Sequence, residues 1–261
     1  MSEKENKDKI YRQVQSDYAA VACGCSSGAS SCCSGSSINL NSLGQQLGYS
    51  SSDLENAPEG ANLGLGCGNP QTIAGLAEGE VVLDLGSGGG FDCFLAADKV
   101  GKNGRVIGVD MTAEMIFKAR ENAKKYNYEN VEFRLGEIEN LPVADNSIDV
   151  IISNCVINLS PDKQQVFTEA YRVLKNKGRL AISDVVLLQE LPVAIKEEFS
   201  YYSTCVSGAS YIDDIKKMLK AADFKMIKIT AHEASKEFIK NWAPQWNIQD
   251  YIVSASIEAI K

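Results

Sequence analysis

The chain predicts an α/β fold, a doubly wound parallel sheet, on three observations. From Val81 onward, strand-like apolar runs alternate with segments of helical periodicity, the pattern of repeated βαβ units. The first run, Val81-Val82-Leu83-Asp84-Leu85, enters a glycine-dense turn, Gly86-Ser87-Gly88-Gly89-Gly90, and residues 91–97 then read as a helix. At the end of the chain Tyr251, Val253, Ala255, Ile257 and Ala259 alternate with Ser254, Ser256 and Glu258, which predicts a half-buried antiparallel strand. Right-handed crossovers between successive parallel strands then force the doubly wound arrangement.

Taken in order, residues 2–20 carry mixed charge and a weak helical pattern through Ile10, Val14 and Ala20. Residues 23–37 form a Cys/Ser/Gly tract with almost nothing to bury, which predicts a mobile, Cys-rich loop. Residues 43–54 suggest short helical pieces and a turn, and residues 58–70 a glycine-rich loop presenting Cys67. After the first strand and helix, residues 105–110 are a second strand ending in Asp110. Residues 113–126 are a helix with Met115, Ile116, Ala119 and Ala123 on one side. Strands follow at 131–135 and 148–153, a helix at 162–174 stopped by Asn176-Lys177-Gly178, and a fifth strand at 179–187. Helices are expected at 191–204 and 211–224 and a strand at 225–231. This divides the chain into an N-terminal helical and Cys-rich segment (1–75), a central domain (76–225) and C-terminal strands that complete the sheet (226–261).

Composition narrows the function. A length of 261 residues supports one large domain, and 44% hydrophobic with 23% charged residues is ordinary for a soluble protein. The net charge of −8 argues against a nucleic-acid partner, because phosphate contacts demand a basic surface. No run approaches the ~18 apolar residues of a membrane span. The charged first nine residues are not followed by an apolar signal segment, so no membrane partner and a cytoplasmic location are expected. In a reducing compartment, eight cysteines read as reactive or ligand thiols more readily than as disulfides. Histidine occurs once, as His232, so a mixed Cys/His zinc site is not expected.

A buried strand ending in a tight glycine turn at a helix N-terminus makes a nucleotide-cofactor site. A dinucleotide motif would want a third glycine at position 91, which is Phe91. The pattern is instead D-x-G-x-G-x-G, and it resembles the first motif of class I S-adenosylmethionine (SAM) methyltransferases. Asp84, Gly86, Ser87, Gly88 and Gly90 are then expected around the methionine part of the cofactor. Asp110, one βαβ unit further on, is placed to accept both ribose hydroxyls, with Met111 on the adenine. Glu137, Ile138 and Glu139 follow the third strand at the adenine edge, and Asn154 ends the fourth.

The thiols point to the substrate. Cys155 directly follows the fourth strand, where the transferred methyl should point; Cys205 precedes a Gly-Ala loop, and Cys67 lies on a glycine-rich loop at the same end. Three thiols around one methyl donor suggest a soft, thiophilic centre. Cys93, beside Phe94 and Leu95, is expected in the core, and Cys23 and Cys25 as spare surface thiols. Ser31-Cys32-Cys33, Leu63-Gly64-Leu65-Gly66-Cys67-Gly68-Asn69-Pro70, Leu83-Asp84-Leu85-Gly86-Ser87-Gly88, Ser153-Asn154-Cys155-Val156-Ile157-Asn158-Leu159 and Cys205 with Gly208-Ala209 together resemble the arsenite S-adenosylmethionine methyltransferases. The match covers roughly residues 10–225. It departs at Glu137, where many relatives carry an aromatic residue, and many relatives have a longer C-terminal region.

The resemblance implies a Rossmann-like seven-stranded sheet with its last strand antiparallel, and As(III) held by Cys67, Cys155 and Cys205. A fourth cysteine falls on either Cys32 or Cys33. It also implies a mechanism. Thiolate-bound trivalent arsenic keeps a lone pair that attacks the sulfonium methyl in line, with no proton to remove. A disulfide between an N-terminal cysteine and Cys67 returns two electrons to the oxidised arsenic, and a thiol reductant such as thioredoxin or a glutathione-like thiol reopens it. Two other readings share parts of this pattern. A small-molecule C- or O-methyltransferase, of quinone type for example, has the same cofactor motifs but no need of the three cysteines. A non-catalytic thiol sensor of metalloids needs the cysteines but not an intact cofactor motif.

Overall fold

The structure, a computed structural model, describes residues 3–24, 40–196 and 204–261. Helix α1 (Glu3–Ala22) is followed by α2 (Leu40–Gln46), α3 (Ser51–Asn56) and α4 (Gln71–Ala74). The alternation then begins: β1 (Val81–Leu85), α5 (Phe91–Val100), β2 (Arg105–Asp110), α6 (Ala113–Lys125), β3 (Val131–Leu135), β4 (Ile148–Asn154), α7 (Lys163–Val173) and β5 (Leu174–Leu187). The chain finishes with α8 (Val193–Lys196), β6 (Ser210–Tyr211), α9 (Ile212–Ala221), β7 (Lys225–His232), α10 (Lys236–Ile239) and β8 (Ile252–Ile260). No helix among the described residues is long and apolar enough to cross a membrane.

The strands lie in the order β3-β2-β1-β4-β5-β8-β7, with β6 added on β5. β1 to β5 are parallel to one another, and β8 runs antiparallel to both β5 and β7. The last strand is thus reversed, as expected. The count is eight rather than seven because Ser210 and Tyr211 add a short parallel pair to the end of β5. β1 has β2 on one side and β4 on the other, so the winding direction reverses there, and an open α/β sheet binds its ligand at such a point.

Burial explains why these runs are strands. Along β1, Leu83 and Leu85 face one apolar layer with Ile151, Phe167 and Phe224, while Val82 faces the other with Phe94, Ile116 and Phe133. A strand covered on both faces needs the near-continuous apolar run seen in the sequence. Each such side chain contributes about 1.5–3 kcal/mol through burial.

Two expectations change. The antiparallel strand β8 is buried on both faces rather than half-buried, because it lies between β5 and β7 and its serines meet protein. Ser254 donates to the Cys67 carbonyl at 2.6 Å, and Ser256 pairs with His232. Strand β5 starts at Leu174 rather than Arg179, through a register shift against β4. The helix expected over 191–204 is seen as α8, and residues 197–203 lie outside the described residues, as does most of the Cys/Ser/Gly tract.

Candidate active site at the carboxyl ends of β1, β2 and β4

The parallel register brings three strand ends to one edge: Leu85 pairs with both Val109 and Ser153. The residues that follow therefore share a cavity of about 1030 Å³, including its open mouth. From the β1 turn, Gly86, Ser87 and Gly88 line it, with Asp84 behind them. Gly86 and Ser87 donate to the Val109 carbonyl at 2.8 and 3.0 Å, and Gly90 closes the turn on Ser87 at 2.8 Å. Gly86 has φ of 69°, and a Cβ there would lie 2.4 Å from Val156 Cγ2. The turn therefore admits only glycine at its first position. Gly90 does not line the cavity; it packs under it, where a Cβ would meet Phe133 and Phe94.

Asp110 ties the β1 turn to the next loop. Its carboxylate accepts from Gly88 N at 2.9 Å and Thr112 N at 2.8 Å, and burial raises its pKa against those two bonds. Each carboxylate oxygen still has a second lone pair for a diol. Met111 lines the cavity beside it, as do Ile138 and Glu139, both buried. Glu139 accepts from Ser160. Glu137 is exposed and takes no part in the lining, whereas the next two residues do.

Behind the turn lie two buried carboxylates, Asp84 and Asp92. Burial raises both pKa values, and for Asp84 the neighbouring charge of Asp92 adds to it. Tyr49 and Gln71 donate to Asp92, Cys93 donates to Asp84 at 3.2 Å, and the Ser87 hydroxyl is buried without a partner among the described residues. A glycine floor, a diol acceptor, an orphan hydroxyl and an acidic recess fit a cationic, ribose-bearing donor such as SAM.

Helix α1 lies across this cavity. Ile10 and Val14 are buried, Gln15 donates to the Met111 carbonyl at 2.9 Å, and Lys7 pairs with Asp162 at 3.1 Å. Tyr11, Val14 and Tyr18 line the cavity, and burial with a bond to Glu139 pushes the Tyr11 hydroxyl pKa up. Sequence reasoning missed these aromatic residues, although Tyr18 continues the i, i+4 spacing of Ile10 and Val14.

The structure gathers all three predicted thiols. Cys67 and Cys155 are joined in a disulfide with Cα atoms 5.9 Å apart, and the Cys205 thiol donates to the Cys155 carbonyl at 2.8 Å. All three are buried in an apolar cluster with Leu159, Val185 and Ile195, against which Trp242 and Trp246 pack. Cys155 and Cys205 have φ of 56° and 62°, a left-handed backbone rare for a side-chain-bearing residue and concentrated at functional sites. The implied disulfide paired Cys67 with an N-terminal cysteine; here Cys67 pairs with Cys155, and Cys32 and Cys33 lie outside the described residues. Asp184 brings a carboxylate oxygen within 4.8 Å of both bonded sulfurs. It also accepts from Asn158 N and Nδ2, which fixes the turn after Cys155, and burial raises its pKa to about 6. Cys93 is in the core, as expected.

A family model described as a methyltransferase domain matches residues 76–223. An arsenite methyltransferase of Halobacterium salinarum is 54% identical over 235 residues, 90% of this chain and 60% of that protein. The arsenite methyltransferase of Homo sapiens is 42% identical over 55% of this chain and 40% of its own length. The crystal structure of an arsenic(III) S-adenosylmethionine methyltransferase from Chlamydomonas reinhardtii superposes with a TM-score of 0.63 at 31% identity, covering 87% of this chain and 75% of that one. The chain spans between two fifths and three fifths of these two curated relatives' length.

Proposed function

We propose an activity for a chain that belongs to the arsenite S-adenosylmethionine methyltransferase family: methyl transfer from SAM to thiol-bound trivalent arsenic, giving methylated arsenicals. The observation that carries it is that Cys155 lines the glycine-turn cavity and gathers the other two cysteines behind it, Cys67 bonded to its sulfur and Cys205 to its carbonyl. When bound, SAM supplies an electrophilic methyl group on a sulfonium.

The chain's own residues then do four things. Asp110 and the glycine turn hold the ribose and methionine ends, and Asp84 and Asp92 favour the ammonium. Cys67, Cys155 and Cys205, as thiolates, hold the arsenic, whose lone pair needs no general base. The apolar wall of Leu159, Val185 and the tryptophans limits water around the reacting centre. The positively strained backbones of Cys155 and Cys205 fix two ligands before substrate arrives, so less ordering is left to binding.

With Cys67 and Cys155 bonded, two of the three ligands are unavailable. The working form therefore needs a thiol reductant. One thiolate attacks the disulfide to free one cysteine and form a mixed disulfide with the other, and a second thiol of the reductant resolves it, leaving both cysteines as thiols and the reductant as its disulfide. The test is thiol titration. Reduced protein should lose two or three titratable thiols on addition of one equivalent of arsenite, and protein oxidised at Cys67 and Cys155 should lose none. An unchanged count in the reduced protein would contradict the substrate assignment and favour a quinone-type acceptor.

A further inference from the structure

We infer that Asn154 is a positioning residue that couples occupancy of the methyl-donor cavity to the placement of Cys67, so that donor and arsenic bind cooperatively. The inference rests on the functional reading above. Asn154 ends β4, and its side chain is shared between two sites. On one side Oδ1 accepts from Cys67 N at 3.1 Å and Nδ2 donates to the Gly68 carbonyl at 2.8 Å, so the amide clasps the backbone that carries one arsenic ligand. On the other side Nδ2 donates to the Tyr49 hydroxyl at 3.0 Å and reaches Asp92 Oδ2 at 3.5 Å. Tyr49 in turn donates to both Asp92 oxygens, at 2.9 and 3.0 Å. The clasp leaves no room for a side chain at the neighbouring loop position: a Cβ on Gly66 would lie 3.0 Å from Asn154 Nδ2.

Asp92 lines the donor cavity next to the buried Asp84. A cation arriving there draws on the Asp92 carboxylate and so changes what Tyr49 and Asn154 compete for. An amide has two N–H donors, and here Gly68, Tyr49 and Asp92 divide them. Strengthening the Asp92–Tyr49 side shifts how firmly Asn154 holds residues 67 and 68. The next residue in the chain is Cys155, so the same strand end sets two arsenic ligands, one through its side chain and one through its backbone. Any coupling of this kind is reciprocal, with the same factor measured from either ligand.

The experiment measures the arsenite dissociation constant of the reduced chain by calorimetry, with and without saturating S-adenosylhomocysteine, which keeps the ammonium and ribose but cannot react. The wild-type ratio should be at least about fivefold, within the range of known couplings. In Asn154→Ala the ratio should fall to near one while each ligand still binds. Tyr49→Phe, which keeps the ring and removes only the shared hydroxyl, should lower the ratio as well, and the double variant should lower it no further than Asn154→Ala alone. Tyr49→Phe also decides the matter if Asn154→Ala does not fold. A wild-type ratio of one, or an unchanged ratio in the variants, overturns the coupling while leaving the methyltransferase reading intact. A reduced wild-type chain that takes no arsenite contradicts both.

Discussion

Replacing Cys155 with serine is expected to remove arsenic methylation while leaving SAM bound. Serine keeps the size and the left-handed backbone at this position, so the turn held by Asp184 and Asn158 should survive. What is lost is the soft ligand. A hydroxyl does not match trivalent arsenic as a thiolate does. Cys155 also sits between Cys67, to which it is bonded, and Cys205, which contacts its carbonyl, so arsenic held by the remaining pair would be displaced from the methyl trajectory. A displacement of about 1 Å can cost on the order of 10²-fold in rate, and losing a ligand should cost at least that. Steady-state methylation with parallel SAM calorimetry reads both halves. Retained methylation in Cys155→Ser would remove this cysteine from the mechanism.

Asp110→Ala should have an effect of similar size on the other ligand. The carboxylate ends β2, holds Gly88 N and Thr112 N, and in the proposed reading accepts the ribose diol. Removing it takes away charge-assisted hydrogen bonds and leaves two backbone donors to find water or remain unpaired. A loss of about 3 kcal/mol, on the order of 10²-fold in Kd, is expected. The arsenite-dependent loss of thiols should persist, because the three cysteines lie on other segments. Unchanged SAM affinity by calorimetry would sink the assignment of this cavity to the donor.

Much of this site was legible in the chain because its parts are local. The β1 turn, its glycines and the acid one βαβ unit later follow from a strand, a turn and a helix that are contiguous in sequence. Cys67, Cys155 and Cys205 were recognisable individually by residue type and loop position. Their meeting was expected from loop position at the methyl-donor end of the sheet and from the family resemblance, not from any local pattern, since Cys67 and Cys155 are 88 residues apart and no periodicity relates them. The polar assembly of Tyr49, Asp92 and Asn154 gave no sequence signal, because each bond joins residues at least 43 positions apart. The buried serines of β8 misled in the opposite direction. Ser254 and Ser256 alternate like a solvent face, but Cys67 O and His232 satisfy them inside the protein. Alternation reports polarity, and a buried polar partner is as good as water for a hydroxyl.

The central claim is that one chain places a SAM methyl group against arsenic held by cysteines. The most direct measurement is product analysis after reduced protein is incubated with SAM, arsenite and a small thiol reductant, with arsenicals separated and identified by mass. The account predicts methylated arsenic formed in step with S-adenosylhomocysteine, and none when the reductant is omitted from oxidised protein. SAM that binds while arsenite is recovered unmethylated from fully reduced protein would contradict it.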